Sequence, residues 1–145
     1  MYYSGVDYSL NDITYPIFSI VLLHEALHIF GVINTTTNNL VSTHGSYNVW
    51  TGTAGKQAYI DVLSYHSRST TNIIGIVLED DFGSGTYDVH FNEGVEADGS
   101  LETVIINDGY NNVTHHSIRN EIMTGFINNP HNYLTRMTTG ILADL

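Results

Sequence analysis

A chain of 145 residues, 42% of them hydrophobic, suits one folded domain with a real core and not two. Four Lys and Arg oppose fifteen Asp and Glu, and a formal charge of -11 would repel a phosphate backbone, which argues against nucleic acid as a partner. There is no cysteine, so disulfides and thiolate ligands are excluded and any zinc must be held by nitrogen and oxygen.

The first element is an apolar run, Ile17 to Leu23, that leads into His24-Glu25-Ala26-Leu27-His28-Ile29-Phe30-Gly31. Asp12 and Thr14 are candidate N-caps and Pro16 falls in the first turn, so a helix is predicted from about Tyr15 to Phe30. Gly31 is the expected stop, because a residue tolerant of positive φ lets the backbone turn away. The apolar stretch from Ile17 to Ile33 is interrupted by His24, Glu25 and His28 and is short for a membrane span. Met1 to Asp7 shows neither a basic leader nor an apolar segment, so no secretory signal is expected; the protein stays where it is made, or the reading frame lacks an upstream part.

Residues 34–53, rich in Asn, Thr, Ser and Gly, are predicted to be a long loop. A second helix is expected over about Ala54 to Tyr65, with Ala58, Val62 and Tyr65 on one side. Strands are expected at Ile73 to Leu78, at Tyr87 to Phe91 and at Leu101 to Ile106, the last set off by Asp98-Gly99 and Asp108-Gly109. A closing helix between Thr135 and Leu145 would turn Met137, Ile141, Leu142 and Leu145 to the core.

The chemistry concentrates in the first helix. A step of four residues is about 400° of rotation and roughly 6 Å of rise, so His24 and His28 leave the same face and can grip one Zn²⁺. Glu25 is then held beside the metal without binding it, where it can take a proton from a metal-bound water, which is the chemistry of a zinc peptidase. Two histidines leave such a site one protein ligand short. The downstream candidates are His44, His66, His90, His115, His116 and His131.

In most metzincin proteases the third ligand is a His three residues after the Gly, a position held here by Asn34. The chain instead resembles the leishmanolysin-type metzincins, whose third His follows some sixty residues later in a Gly-x-Gly-Thr-x-x-x-His-Trp segment. The matching residues are Gly83-Ser84-Gly85-Thr86-Tyr87-Asp88-Val89-His90-Phe91. Asn120-Glu121-Ile122-Met123-Thr124-Gly125 is similar to the family's Asn-Glu-Leu-Met-Thr-Gly segment, in which the Met lies in a tight turn beneath the metal. Leu134-Thr135-Arg136-Met137-Thr138 through Leu142-Ala143-Asp144-Leu145 is similar to its last helix.

The resemblance implies a single α+β domain over residues 1–145, with a zinc-binding helix, a small sheet, a Met turn and a C-terminal helix. It implies His24, His28 and His90 as zinc ligands, Glu25 as catalytic base, and protein or peptide as substrate. His115 and His116 are the rivals of His90, being close to Met123. Tyr133 is a candidate oxyanion partner. Family members are usually secreted or surface-bound.

Three departures stand out. Phe91 replaces the family's Trp, and about Gly94 to Thr114 is an insertion. Only about fourteen residues precede the helix, where metzincins place a sheet whose edge strand lines the cleft. Either the chain is a truncated or minimal version, or the strands after residue 73 form the cleft wall. Two other function classes follow: a catalytically inactive pseudo-protease that uses zinc as a staple, and an acidic interaction module binding Ca²⁺ through Glu79, Asp80, Asp81, Asp88, Glu93, Glu96 and Asp98. Those carboxylates also fit a plain solvated face, the preferred reading of them.

Overall fold

The computed structural model describes residues 17–33, 39–80, 87–93, 103–107, 112–126 and 132–145. It is a small α+β fold with three helices and two small antiparallel sheets among these residues. The candidate caps Asp12 and Thr14, Pro16, Asn34, the Gly83 to Thr86 segment, His131, and the acidic Asp81, Glu96 and Asp98 lie outside the described residues.

Helix α1 spans Ile17–Ile29. It is apolar on nearly every side and, among its described side chains, buries Ile20 and Leu27 in the core, while Phe18, Leu22, Leu23, Ile29 and Phe30 are exposed. It stops at Gly31, whose φ of +92° closes a two-bond turn: Gly31 N donates to His28 O and Val32 N to Leu27 O, both at 3.0 Å. That is the Schellman pattern, and Leu27 and Val32 are both buried in the same core cluster. The glycine stop read from the sequence is borne out.

The segment 34–53 is not simply a loop. It holds a hairpin, β1 (Val41–His44) and β2 (Tyr47–Trp50), paired from Val41↔Trp50 to His44↔Tyr47 around a turn at Gly45. Its polar Ser, Thr and Asn residues mask the pairing, which depends on Val49 and Trp50 reaching the core. Strand β3 is only Ile76–Val77, shorter than the 73–78 expected, and pairs antiparallel with β2. Gly75 begins that crossing at close quarters: a Cβ there would meet the Trp50 carbonyl oxygen.

Tyr87 to Phe91 is a turn and not a strand. Asp88 sits at φ +61°, a left-handed conformation that interrupts any extended run, and only Phe91 makes bridges, to Leu78 and to Thr124. The expected strand at 101–106 is found as β4 (Thr103–Asn107), and its partner β5 (Asn112–His116) was not foreseen. The presumed insertion is thus partly a β4–β5 ribbon, and a small apolar cluster of Val49, Val77, Val104 and Ile106 joins it to the three-stranded sheet. Strands do follow residue 73, in two small sheets.

Helices α2 (Thr53–Tyr65) and α3 (Arg136–Asp144) pack on each other. Gly52, at the start of α2, has no side chain to cap it, and Asp144 of α3 takes over: its carboxylate accepts from Ala54 N at 2.7 Å and Gly55 N at 2.9 Å. The same carboxylate accepts from Trp50 Nε1 at 3.1 Å. Ala58, Val62, Met137 and Ile141 are buried as expected, whereas Tyr65, Leu142 and Leu145 are exposed; Tyr59, Leu63 and Thr138 are buried as well. No helix among the described residues is long and apolar enough to cross a membrane.

Candidate metal centre

The step of four residues on α1 sets His24 and His28 side by side, both half-buried. His90 reaches them from the turn after β3. That turn is fixed on both flanks: Glu79 N donates to His90 O at 3.0 Å, Asn92 N to Val77 O at 3.1 Å, and Phe91 N to Met123 O at 2.9 Å. The three Nε2 atoms converge, His24 to His90 at 2.9 Å, His24 to His28 at 3.1 Å and His28 to His90 at 3.3 Å.

The other ring nitrogens explain why a cation fits there. His24 Nδ1 donates to the Ile122 carbonyl at 2.6 Å, and His28 Nδ1 donates to the Val32 carbonyl at 3.3 Å. A carbonyl can only accept, so each Nδ1 carries the proton and each Nε2 turns a bare lone pair toward the shared centre. Lone pairs at such separations repel unless a positive ion lies between them. Burial, reinforced by the neighbouring His24, holds His28 below the ordinary imidazole range, which keeps it neutral and able to ligate. Tetrahedral zinc with bonds of ~2.0–2.1 Å sets its nitrogens ~3.3 Å apart, and the observed triangle lies within a few tenths of that spacing. His24, His28 and His90 are the one group of metal-ligating side chains so gathered among the described residues.

The rival histidines are elsewhere. His115 is fully buried in β5, stacked on Tyr59 with ring centroids 6.3 Å apart, and His116 follows it in the same strand. His44 lies in β1 and His66 ends α2.

Glu25 is exposed, about 100° round the helix from His24. It lines a cleft of about 180 Å³ with His24, Ile20, Val21, Ile122, Phe126 and Asn132. The cleft therefore brings together the Glu25 carboxylate and one imidazole of the three-histidine group within a partly apolar lining. Met123, fully buried, sits in the turn at 121–124 whose carbonyls serve the segments that carry His24 and His90. The backbone of Tyr133, the sequence candidate for an oxyanion partner, pins that turn: Ile122 N donates to Tyr133 O at 2.8 Å and Tyr133 N to Asn120 O at 2.7 Å.

The acidic stretch is not a solvated face throughout. Glu79 and Glu93 are buried, and the Glu79 carboxylate accepts from the backbone N–H groups of Asp80 at 3.0 Å and Glu93 at 3.2 Å. These contacts hold the strand end that leads to His90, a structural duty that negative charge counted along the sequence does not reveal.

Sequence reasoning overlooked the two carbonyls, Val32 and Ile122, that orient the imidazoles. The first was within reach of the glycine stop, since closing the helix at Gly31 folds Val32 back under His28. The second depends on a long-range contact with no local signal. No family model matches the chain, and neither a curated protein nor a solved structure matches it. What fold and site define together is a small α+β domain with a three-histidine constellation able to hold a metal ion.

Proposed function

We propose that this chain is a zinc-dependent metalloendopeptidase of the leishmanolysin-like metzincin type. The observation that carries the reading is the meeting of three imidazole Nε2 atoms beside a cleft-lining carboxylate that binds none of them. An all-nitrogen set of three, with a fourth side left for water or substrate, is the donor chemistry of a catalytic zinc site. The ordered matches around Glu25, His90, Met123 and Arg136 point the same way.

Zinc, when bound, supplies Lewis acidity toward water and toward the peptide carbonyl. The chain's own residues do the rest. His24 and His28 are kept in the ligating tautomer by the Ile122 and Val32 carbonyls. The Glu25 carboxylate accepts the proton that the attacking water gives up and hands it to the departing amine nitrogen, so that carbonyl attack and leaving-group departure share one base. Ile20, Val21, Ile122 and Phe126 line the cleft beside it and present apolar surface to a substrate side chain.

The test is hydrolysis of unfolded casein with and without a chelator, together with zinc content. The expected outcome is chelator-sensitive cleavage and about one zinc per chain. Zinc retained with no cleavage of any unfolded protein would assign the site a structural role instead.

A further inference from the structure

The turn at residues 120–124 is a shared bracket for the metal centre. Its Ile122 carbonyl accepts from His24 Nδ1, and its Met123 carbonyl accepts from Phe91 N, the residue after His90. One short segment therefore sets the orientation of one ligand and the position of another. Besides the Tyr133 backbone, what holds the segment is the Glu121 side chain, which is fully buried.

Its carboxylate takes four donors. Oε2 accepts from Met123 N, inside the turn. Oε1 accepts from Thr138 Oγ1 at 2.6 Å, Thr135 Oγ1 at 3.0 Å and Thr135 N at 3.2 Å, at the start of α3. The carboxylate is thus a clamp between the turn and the last helix. The Glu121 backbone oxygen continues it, accepting from Asn132 Nδ2 at 2.9 Å and Thr124 Oγ1 at 2.8 Å. A buried carboxylate is costly to desolvate, and an apolar side chain would have filled the same volume without that cost. Four converging donors make one rigid junction of it, which an apolar contact would not do.

We infer that Glu121 is a positioning residue for the metal centre, acting through the Ile122 and Met123 carbonyls while touching neither the ion nor its ligands. This rests on the reading of His24, His28 and His90 as a metal site. It differs from simple core packing in what it predicts for Glu121→Gln. An amide keeps the shape but has one oxygen where the carboxylate has two, so either Met123 N or Thr135 N faces an NH₂ group. The turn or the helix start is released, and the ligands lose their fixed geometry even if the fold survives.

The experiment is zinc affinity of the whole chain by chelator competition, with the absorption spectrum of the cobalt-loaded protein as a second readout. Glu121→Gln is expected to weaken zinc binding about tenfold, the low end of what is seen when groups that orient metal ligands are lost, and to shift the cobalt spectrum. Thr138→Val, which removes one donor and is milder, should move both in the same direction by less, and it decides the matter if Glu121→Gln does not fold. Asp144→Ala, which loosens α2 and α3 away from the site, should lower the melting temperature with zinc affinity unchanged. Wild-type chain that binds no zinc would overturn the metal centre and this inference with it. Wild-type chain that binds zinc while Glu121→Gln and Thr138→Val bind it equally well, or Asp144→Ala that weakens it as much as they do, would overturn the inference alone.

Discussion

The α2–α3 pair and the half that carries the three histidines are built on opposite principles. Helices α2 and α3 pack on each other and bury Tyr59, Leu63, Met137 and Ile141 in the core, and α3 supplies the missing cap of α2 through Asp144. Helix α1 turns most of its large apolar side chains outward and is tied down by Ile20, Leu27, one imidazole bond to Ile122 and its share of the three-histidine site. The first half is held by area and a cap. The second is held by directional bonds that converge on one point, so its order should depend on what occupies that point.

The sharpest separation of chemistry from architecture is Glu25→Ala. The side chain is exposed and orients no ligand, so zinc content should stay while peptide cleavage falls by at least ~10²-fold, measured as initial rate on casein. Retained cleavage would remove the base from the mechanism. Stripping zinc with a chelator is the next largest effect. Hydrogen exchange should then rise across Ile17–Ile29 and around His90, with little change in Thr53–Tyr65 and Arg136–Asp144. Equal loosening of both halves would erase the contrast.

Asp144→Ala probes the other half. Removing the acceptor of two helix-start N–H groups and of Trp50 Nε1 should cost ~1–3 kcal/mol of unfolding free energy, read from denaturant melts. The smallest effect concerns acid. Burial depresses the His115 imidazole to about 4, with His116, His44 and Lys56 adding to the depression and the Gly75 backbone opposing it. The folded protein thus refuses a proton that the unfolded chain accepts. Stability from this group is complete above about pH 6.5 and is lost as pH falls toward 4. Glu121 works the other way: burial, against the donors Thr138, Met123 and Thr135, pushes its carboxyl up to about 7, which favours the folded state as pH falls below that value. His115→Leu should therefore flatten the acid limb by removing its contribution. An unchanged pH profile of melting temperature would show that His115 is not shielded.

Much of the helical half could be read directly. The apolar run, the four-residue histidine step and Gly31 located α1 and its end, and Ala58, Val62, Met137 and Ile141 marked buried faces of α2 and α3. The β elements were harder because they are short and polar. Ser42, Thr43 and Asn48 look like loop residues until Val49 and Trp50 pair across from Val77 and Ile76. At 87–91 the alternation suggested a strand, but a single left-handed residue, Asp88, broke it. Tertiary contact decided both cases. In the site, side chains that bear chemistry were legible, whereas the carbonyls of Val32 and Ile122 and the clamp at Glu121 were not, since backbone groups carry no residue signature and Thr135 and Thr138 are distant from it in sequence.

The central claim is that His24, His28 and His90 share one ion, and titration of zinc into the metal-free chain tests it most directly. One tight site per chain is expected, lost in His90→Ala and kept in a His115→Ala/His116→Ala double variant. Zinc bound as tightly by His90→Ala as by the unsubstituted chain would contradict it.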